Sequence, residues 1–238
     1  MDTEQRQFSP ENKDLPKGRS IEVIMLRHGK QEVYKDPNSE LSEEGKKQAE
    51  EFALDFVNQN IDRQMVVKIR FSPVMRATQT AEIISETISK KIIEMELSNI
   101  TLLKDRKTES LKSRIGLDKI MNTGIEPENV VDEWLKNSEQ YSGVVNPKEI
   151  RKKIELDITE MDKMAKRLAK EGPDIVYIWV THETAHSSLM NGLTGESLDG
   201  LGGNIKHLEP LKVDFYQELN ILPQIQFRDR RLEFKKYE

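Results

Sequence analysis

Cysteine is absent from the 238 residues. That excludes disulfides and thiolate metal sites and leaves a reducing compartment open to the protein. No apolar run approaches the roughly 20 residues of a membrane-spanning helix, and the N-terminus has no apolar signal core. A cytoplasmic location with no membrane association is the expectation. Positive charge is not in excess: 37 Lys and Arg face 42 Asp and Glu, a net charge of -5. There is therefore no electrostatic reason to expect a nucleic-acid partner. No internal repeat is visible. What the chain does have is charge, at 33% of residues, as suits helices with charged outer faces. Its length fits one sizeable α/β domain with an insertion.

Residues 1–20 mix both charge signs with Pro, Asn and Ser, show no apolar periodicity, and read as a flexible arm before a single domain over 21–238. "IEVIML" at 21–26 reads as a buried strand that ends in the polar Arg27, His28 and Gly29. Ser42 caps a helix with Ala49, Ala53, Phe56 and Val57 on one face. "MVVKIRF" at 65–71 is a second strand, and Ser72 with Pro73 predicts the start of a helix burying Val74, Ala77, Ala81, Ile84 and Ile88. "KIIEME" reads as a third, weaker strand. Residues 98–146 lack a clear core face beyond Val131, Trp134 and Leu135, and are expected to form a helical insertion over the site. Asn146 and Pro147 open a long helix. "DIVYIWVT" is the strongest strand, followed by a short helix and the strands "LKVDFYQ", "PQIQF" and "RRLEFKK". Strands alternating with helices predict a three-layer α/β sandwich with a mostly parallel central sheet, whose site lies beyond the carboxyl ends of the strands.

Three polar clusters fall at equivalent places in that frame. Arg27 and His28 follow the first strand, Arg76 opens the helix after the second, and His182 follows the strongest. Two arginines and two histidines suit a dianionic phosphoryl group, because guanidinium forks bind its oxygens and helix N-termini add to the field. An imidazole whose other nitrogen is held by a backbone carbonyl is a competent nucleophile toward phosphorus. The expected partner is a phosphorylated small molecule or phosphoprotein; no metal or other cofactor is called for.

"VTHETAH" at 180–186 offers a different chemistry, since His182, Glu183 and His186 match the H-E-x-x-H of zinc metalloproteases. That reading needs both histidines inside one helix. The residues before His182 are strand-like, and neither "GESLDGLGGN" nor "HLEPLKV" reads as a helix carrying a third ligand. His182 is expected at a strand end, with His186 packing behind it or supporting the site. His207 reads as plain surface.

These residues resemble the histidine phosphatase superfamily that includes cofactor-dependent phosphoglycerate mutases. "LRHGKQE" is similar to its Arg-His-Gly signature, "ELSEEGKKQAEEFA" to the segment that follows, and "FSPVMRATQTAEII" to its Ser-Pro, Arg-Ala and Gln-Thr-Ala block. The resemblance implies that His28 is the phosphorylated nucleophile, Arg27 and Arg76 the phosphate clamp, and His182 the second pocket histidine. "LKDR" resembles the acid-bearing stretch of one branch, with Asp105 in the acid's place. A second branch carries the acid directly after the second histidine, here Glu183, where the family usually has Gly. Asp105 is favoured, Glu183 stands as its rival, and Glu109 is a further possibility. The implied activity is metal-independent hydrolysis of a phosphomonoester. A phosphomutase and a non-catalytic phospho-ligand binder are the alternatives, with the zinc protease behind them. Substrate and oligomeric state are not legible.

Overall fold

The computed structural model describes residues 19–33, 36, 38–111, 116–168, 171–218 and 220–234, so most of the expected N-terminal arm lies outside the described residues. Among the described residues, seven strands form one sheet: β1 (Ile21–Arg27), β2 (Met65–Phe71), β3 (Ile100–Lys107), β4 (Asp174–Thr181), β5 (Pro210–Phe215), β6 (Gln224–Phe227) and β7 (Arg230–Glu233). Their order is β3-β2-β4-β1-β5-β6-β7. The first four strands pair in parallel, and β5 to β7 extend the sheet as an antiparallel meander from β1.

Alternation along the strands builds two cores. Ile24 and Leu26 of β1 join Val67, Ile69, Val176, Ile178 and Val180 under α1 (Glu43–Gln59) and α2 (Met75–Glu94). Val23 and Met25 point the opposite way, with Tyr177, Trp179, Val213 and Phe215, against α5 (Pro147–Ala165) and α6 (Glu183–Thr194). This gives the three layers that the sequence predicts. Ser42 caps α1 by accepting from the Gly45 N–H at 3.1 Å, and Asn146 caps α5 by accepting from Lys148 at 2.9 Å. At the opposite end of the strands, Arg63 joins Glu22 at 2.7 Å and Asp174 at 2.8 Å, tying β1 to β4.

Three expectations are corrected. "KIIEME" is not a strand: α2 runs through Glu94 because the spacing of Ala77, Ala81, Ile84 and Ile88 continues to Ile92, which packs on the same core. The third strand is instead Ile100–Lys107, so the segment expected as an insertion from 98 begins inside the sheet. Beyond it, α3 (Leu117–Met121) and α4 (Val130–Asn137) bury Ile120, Val130, Val131 and Trp134 in the α5–α6 core. Finally, Ser72 does not cap α2. Val74 occupies the cap position without a side-chain bond, and the Ser72 hydroxyl faces a histidine.

Candidate active site

Because β1, β4 and β2 are neighbours, their carboxyl ends open side by side. The ladder continues one step past the strands: His28 N–H donates to the Thr181 carbonyl, and Ser72 N–H to that of Val180, each at 3.0 Å. Arg27, His28, Ser72, Arg76, His182 and Glu183 are thereby delivered to one crevice, at the place expected for a parallel sheet.

His28 is buried, and its Nδ1 lies 2.8 Å from the Gly29 carbonyl. A carbonyl only accepts, so Nδ1 carries the proton and the lone pair is at Nε2. Arg76 donates its Nε–H to that lone pair at 2.8 Å. Burial holds His28 well below the ordinary histidine pKa, with His182, Arg76 and Arg27 adding to the effect and the Gly29 bond opposing it. Thr80, fully buried one turn beyond Arg76, accepts from the Gly29 N–H at 3.0 Å and donates to the Arg76 carbonyl at 2.7 Å. The nucleophile candidate and the cation candidate are thus fixed to one another through a single hydroxyl.

His182 has extended backbone at the N-cap of α6, at the end of β4 and not inside a helix. Its ring centroid is 5.3 Å from that of His28, and its Nε2 shares a 3.0 Å hydrogen bond with Ser72 Oγ. Burial first, then Arg76 and Arg27, lower its pKa to about 3. His186, one turn along, is fully buried, and neither ring nitrogen has a hydrogen-bond partner among the described residues. Burial lowers it to about 3, against the pull of Glu209.

Arg27 donates through Nη1 to the Ile205 carbonyl and pairs with Glu183 Oε2 at 3.0 Å, while its buried Nε has no hydrogen-bond partner among the described residues. Glu183 is buried enough that its pKa is raised despite Arg27 and the Ile205 N–H, both of which act to lower it. Desolvation therefore outweighs the ion pair, leaving a carboxyl that holds its proton more readily than a solvated glutamate.

Asp105 is not brought to this group. It sits in β3 where the β2–β3 register shifts, and its carboxyl faces Ser85 and Glu82 of α2. Ser85 lies nine residues beyond Arg76, about 13 Å of helix rise. Burial and Glu82 raise the Asp105 pKa, but at a distance from the histidines. Glu109 is exposed in the short 3-10 turn Glu109–Leu111, whose Leu111 carbonyl accepts from Thr181 Oγ1 at 3.0 Å beside the strand ends.

His207 was expected at the surface and is instead half-buried in the site. Its Nδ1 lies 2.8 Å from the His28 carbonyl and its ring centroid 5.7 Å from that of His28. All four histidines of the chain therefore gather around this crevice. The signal that could have found His207 is the pairing of β5 with β1, Pro210 opposite Leu26, which sets the residues just before β5 beside those just after β1.

Two guanidinium groups and three buried imidazoles thus share one crevice on a three-layer α/β sheet. Residues 23–111 match the sequence model of the histidine phosphatase superfamily, branch 1, and the fold as a whole is shared with solved structures. The fold is similar to that of mycobacterial glucosyl-3-phosphoglycerate phosphatase, at 17% identity and a TM-score of 0.57 over 82% of this chain and 91% of that one. It is also similar to phosphoglycerate mutase from Bacillus anthracis, at 14% identity and a TM-score of 0.57 over 89% of this chain and 93% of that one. No curated protein sequence matches the chain.

Proposed function

We propose that this protein hydrolyses phosphomonoesters through a phosphohistidine on His28, without a metal ion. The observation that carries this reading is the fixed tautomer of His28: with Nδ1–H held on the Gly29 carbonyl, the Nε2 lone pair faces the cation Arg76. In the first step Nε2 attacks phosphorus while the bond from phosphorus to the ester oxygen breaks. Arg76 and Arg27 hold the phosphoryl oxygens, and the His182 ring flanks them. The leaving oxygen takes a proton from Glu183, whose raised pKa suits a donor and which touches the same Arg27. In the second step water attacks the phosphorus of phosphohistidine, its proton passes to the Glu183 carboxylate, and His28 leaves as the neutral imidazole. The arginines supply the positive charge that a metal supplies elsewhere, so activity should persist in EDTA.

A phosphorylated small molecule is the substrate class favoured by the similar folds named above, one a glucosyl-3-phosphoglycerate phosphatase and the other a phosphoglycerate mutase. The deciding experiment incubates the protein with a labelled phosphomonoester and quenches in acid or in alkali. Label retained on His28 in alkali and lost in acid is the expected result; label on any other residue overturns the mechanism. A second reading, a phospho-ligand binder that does no chemistry, is favoured by the engagement of Arg27 with Glu183 and Ile205. Saturable phosphate binding with no label and no turnover would select it.

A further inference from the structure

The peptide joining His28 to Gly29 is gripped on both sides. Its N–H is held by buried Thr80 at 3.0 Å, and its carbonyl accepts from His207 Nδ1 at 2.8 Å. Because a carbonyl cannot donate, the His207 bond fixes Nδ1–H and leaves Nε2 as the bare nitrogen. The adjoining Leu208 N–H donates to the Arg27 carbonyl at 3.0 Å, so residues 207 and 208 clamp two consecutive carbonyls at the end of β1. The other partners of the His28 ring and peptide come from its own loop, α2 or the end of β4; His207 arrives from a segment 179 residues away. It also lines a cavity of about 530 Å³ between α1 and the β1–β5 pair, together with Gln48, Phe52 and Leu208, so one edge of its ring meets the His28 peptide while the residue borders open space.

We propose that His207 is a positioning residue for the nucleophile: its Nδ1–H bond to the main-chain carbonyl of His28 sets the plane of the 28–29 peptide. The Gly29 carbonyl, at the next position, is the acceptor that selects the His28 tautomer, so a turn of that peptide plane moves both the acceptor and the Nε2 lone pair. The proposal rests on reading His28 as the nucleophile. Misplacement of a reacting atom by about 1 Å is enough to cost about 10²-fold in rate. Removing the bond should therefore lower kcat and leave KM nearly unchanged.

Asparagine can place a donor where Nδ1 stands, whereas glutamine places its amide where Nε2 stands. With p-nitrophenyl phosphate, His207→Ala and His207→Gln should lose roughly 10- to 100-fold in kcat, and His207→Asn should recover most of that loss. Nitrogen-15 NMR of the ring nitrogens supplies a readout that needs no turnover. In the unmutated chain His28 and His207 should both be Nδ1–H tautomers, and in His207→Gln the His28 ring should become a mixture. The proposal is overturned by a His207→Gln enzyme with unchanged kcat, by His207→Asn no better than His207→Gln, or by an Nε2–H tautomer at His207. An inactive unmutated protein that still shows the tautomer change would sink the phosphatase reading and leave the positioning role standing.

Discussion

Arg76 Nε–H donates to the Nε2 lone pair of His28 at 2.8 Å, so the cation that would bind phosphate holds the nitrogen that would attack it. The same bond that keeps the imidazole oriented must be exchanged for a phosphoryl oxygen before attack. Arg76→Ala should slow phosphorylation of His28 by about 10²- to 10³-fold, the range for loss of one preorganised donor. Arg76→Lys should recover little, because an ammonium lacks the planar fork. Single-turnover labelling of His28 separates this step from hydrolysis. Equal labelling rates in Arg76→Ala and the unmutated protein would remove Arg76 from the mechanism.

Glu183 and Asp105 make opposite predictions. A proton donor matters most for a poor leaving group, so Glu183→Gln should lose about 10²- to 10⁴-fold with an alkyl phosphate and far less with p-nitrophenyl phosphate. Asp105→Asn, facing Ser85 and Glu82, should leave both rates close to normal. The raised pKa of Glu183 also implies an alkaline fall in kcat, which Glu183→Gln should abolish. Were the leaving-group dependence to appear in neither variant, Glu109 would be the next residue to change.

Acid should destabilise the fold through its histidines. His28, His182 and His186 are buried with folded pKa values below the unfolded value of about 6.5. Below that pH the unfolded chain binds more protons than the folded one, so stability falls with pH, by up to about 1.4 kcal/mol per pH unit for each imidazole. Asp214 acts in the opposite sense. Burial, and Glu22 beside it, push its pKa from 3.8 to about 6, so it removes stability as pH rises through that window. Glu183 and Asp105, also raised, act in the sense of Asp214, and His207, lowered to about 4 by burial, acts with the other imidazoles. The three imidazoles of the core are the most deeply buried of these groups, and the urea midpoint should drop between pH 6.5 and 4.5. Asp214→Asn should steepen the drop; a flat profile would contradict the burial of the imidazoles.

Gly45 is tested by a single methyl group. A Cβ there would stand 2.0 Å from the Lys30 carbonyl oxygen, and one on Gly29 would stand 2.6 Å from the Gly45 oxygen. The His28 loop lies directly on the first turn of α1, backbone on backbone. Gly45→Ala should cost about 1–3 kcal/mol by overpacking and, by displacing the loop, about 10²-fold in kcat. Thermal unfolding and steady-state rates measured together would expose a change in only one of them.

The central strands are legible because β1 and β4 are dense in β-branched and aromatic residues with both faces buried, while β2 alternates buried Met65, Val67, Ile69 and Phe71 with half-buried residues. Strand β3 is not. It is the sheet's edge, mostly exposed, with Lys104, Arg106 and Lys107 along it, so its composition gives no apolar alternation. The clustering of Arg27, His28, Arg76 and His182 followed from their positions after strands and needed no knowledge of side-chain contacts. Asp105 faces Ser85 and Glu82 of α2 where the pairing of β2 with β3 shifts register, and spacing carries no trace of that shift. His207 escaped for a related reason: its place depends on antiparallel pairing between the first strand and one near the end of the chain.

The strand order has a consequence for how the chain comes to be built. β1 and β2, which lead into His28 and Arg76, do not pair with each other; each pairs with β4, which enters between them at Asp174–Thr181. Until that segment has been synthesised, β1 has neither of its neighbours and β2 has only the edge strand β3. Contacts so distant in sequence form slowly, because the loop must close before any pairing rewards it. The nascent chain should therefore be most prone to aggregation before β4 emerges, and His28 and Arg76 should meet only afterwards.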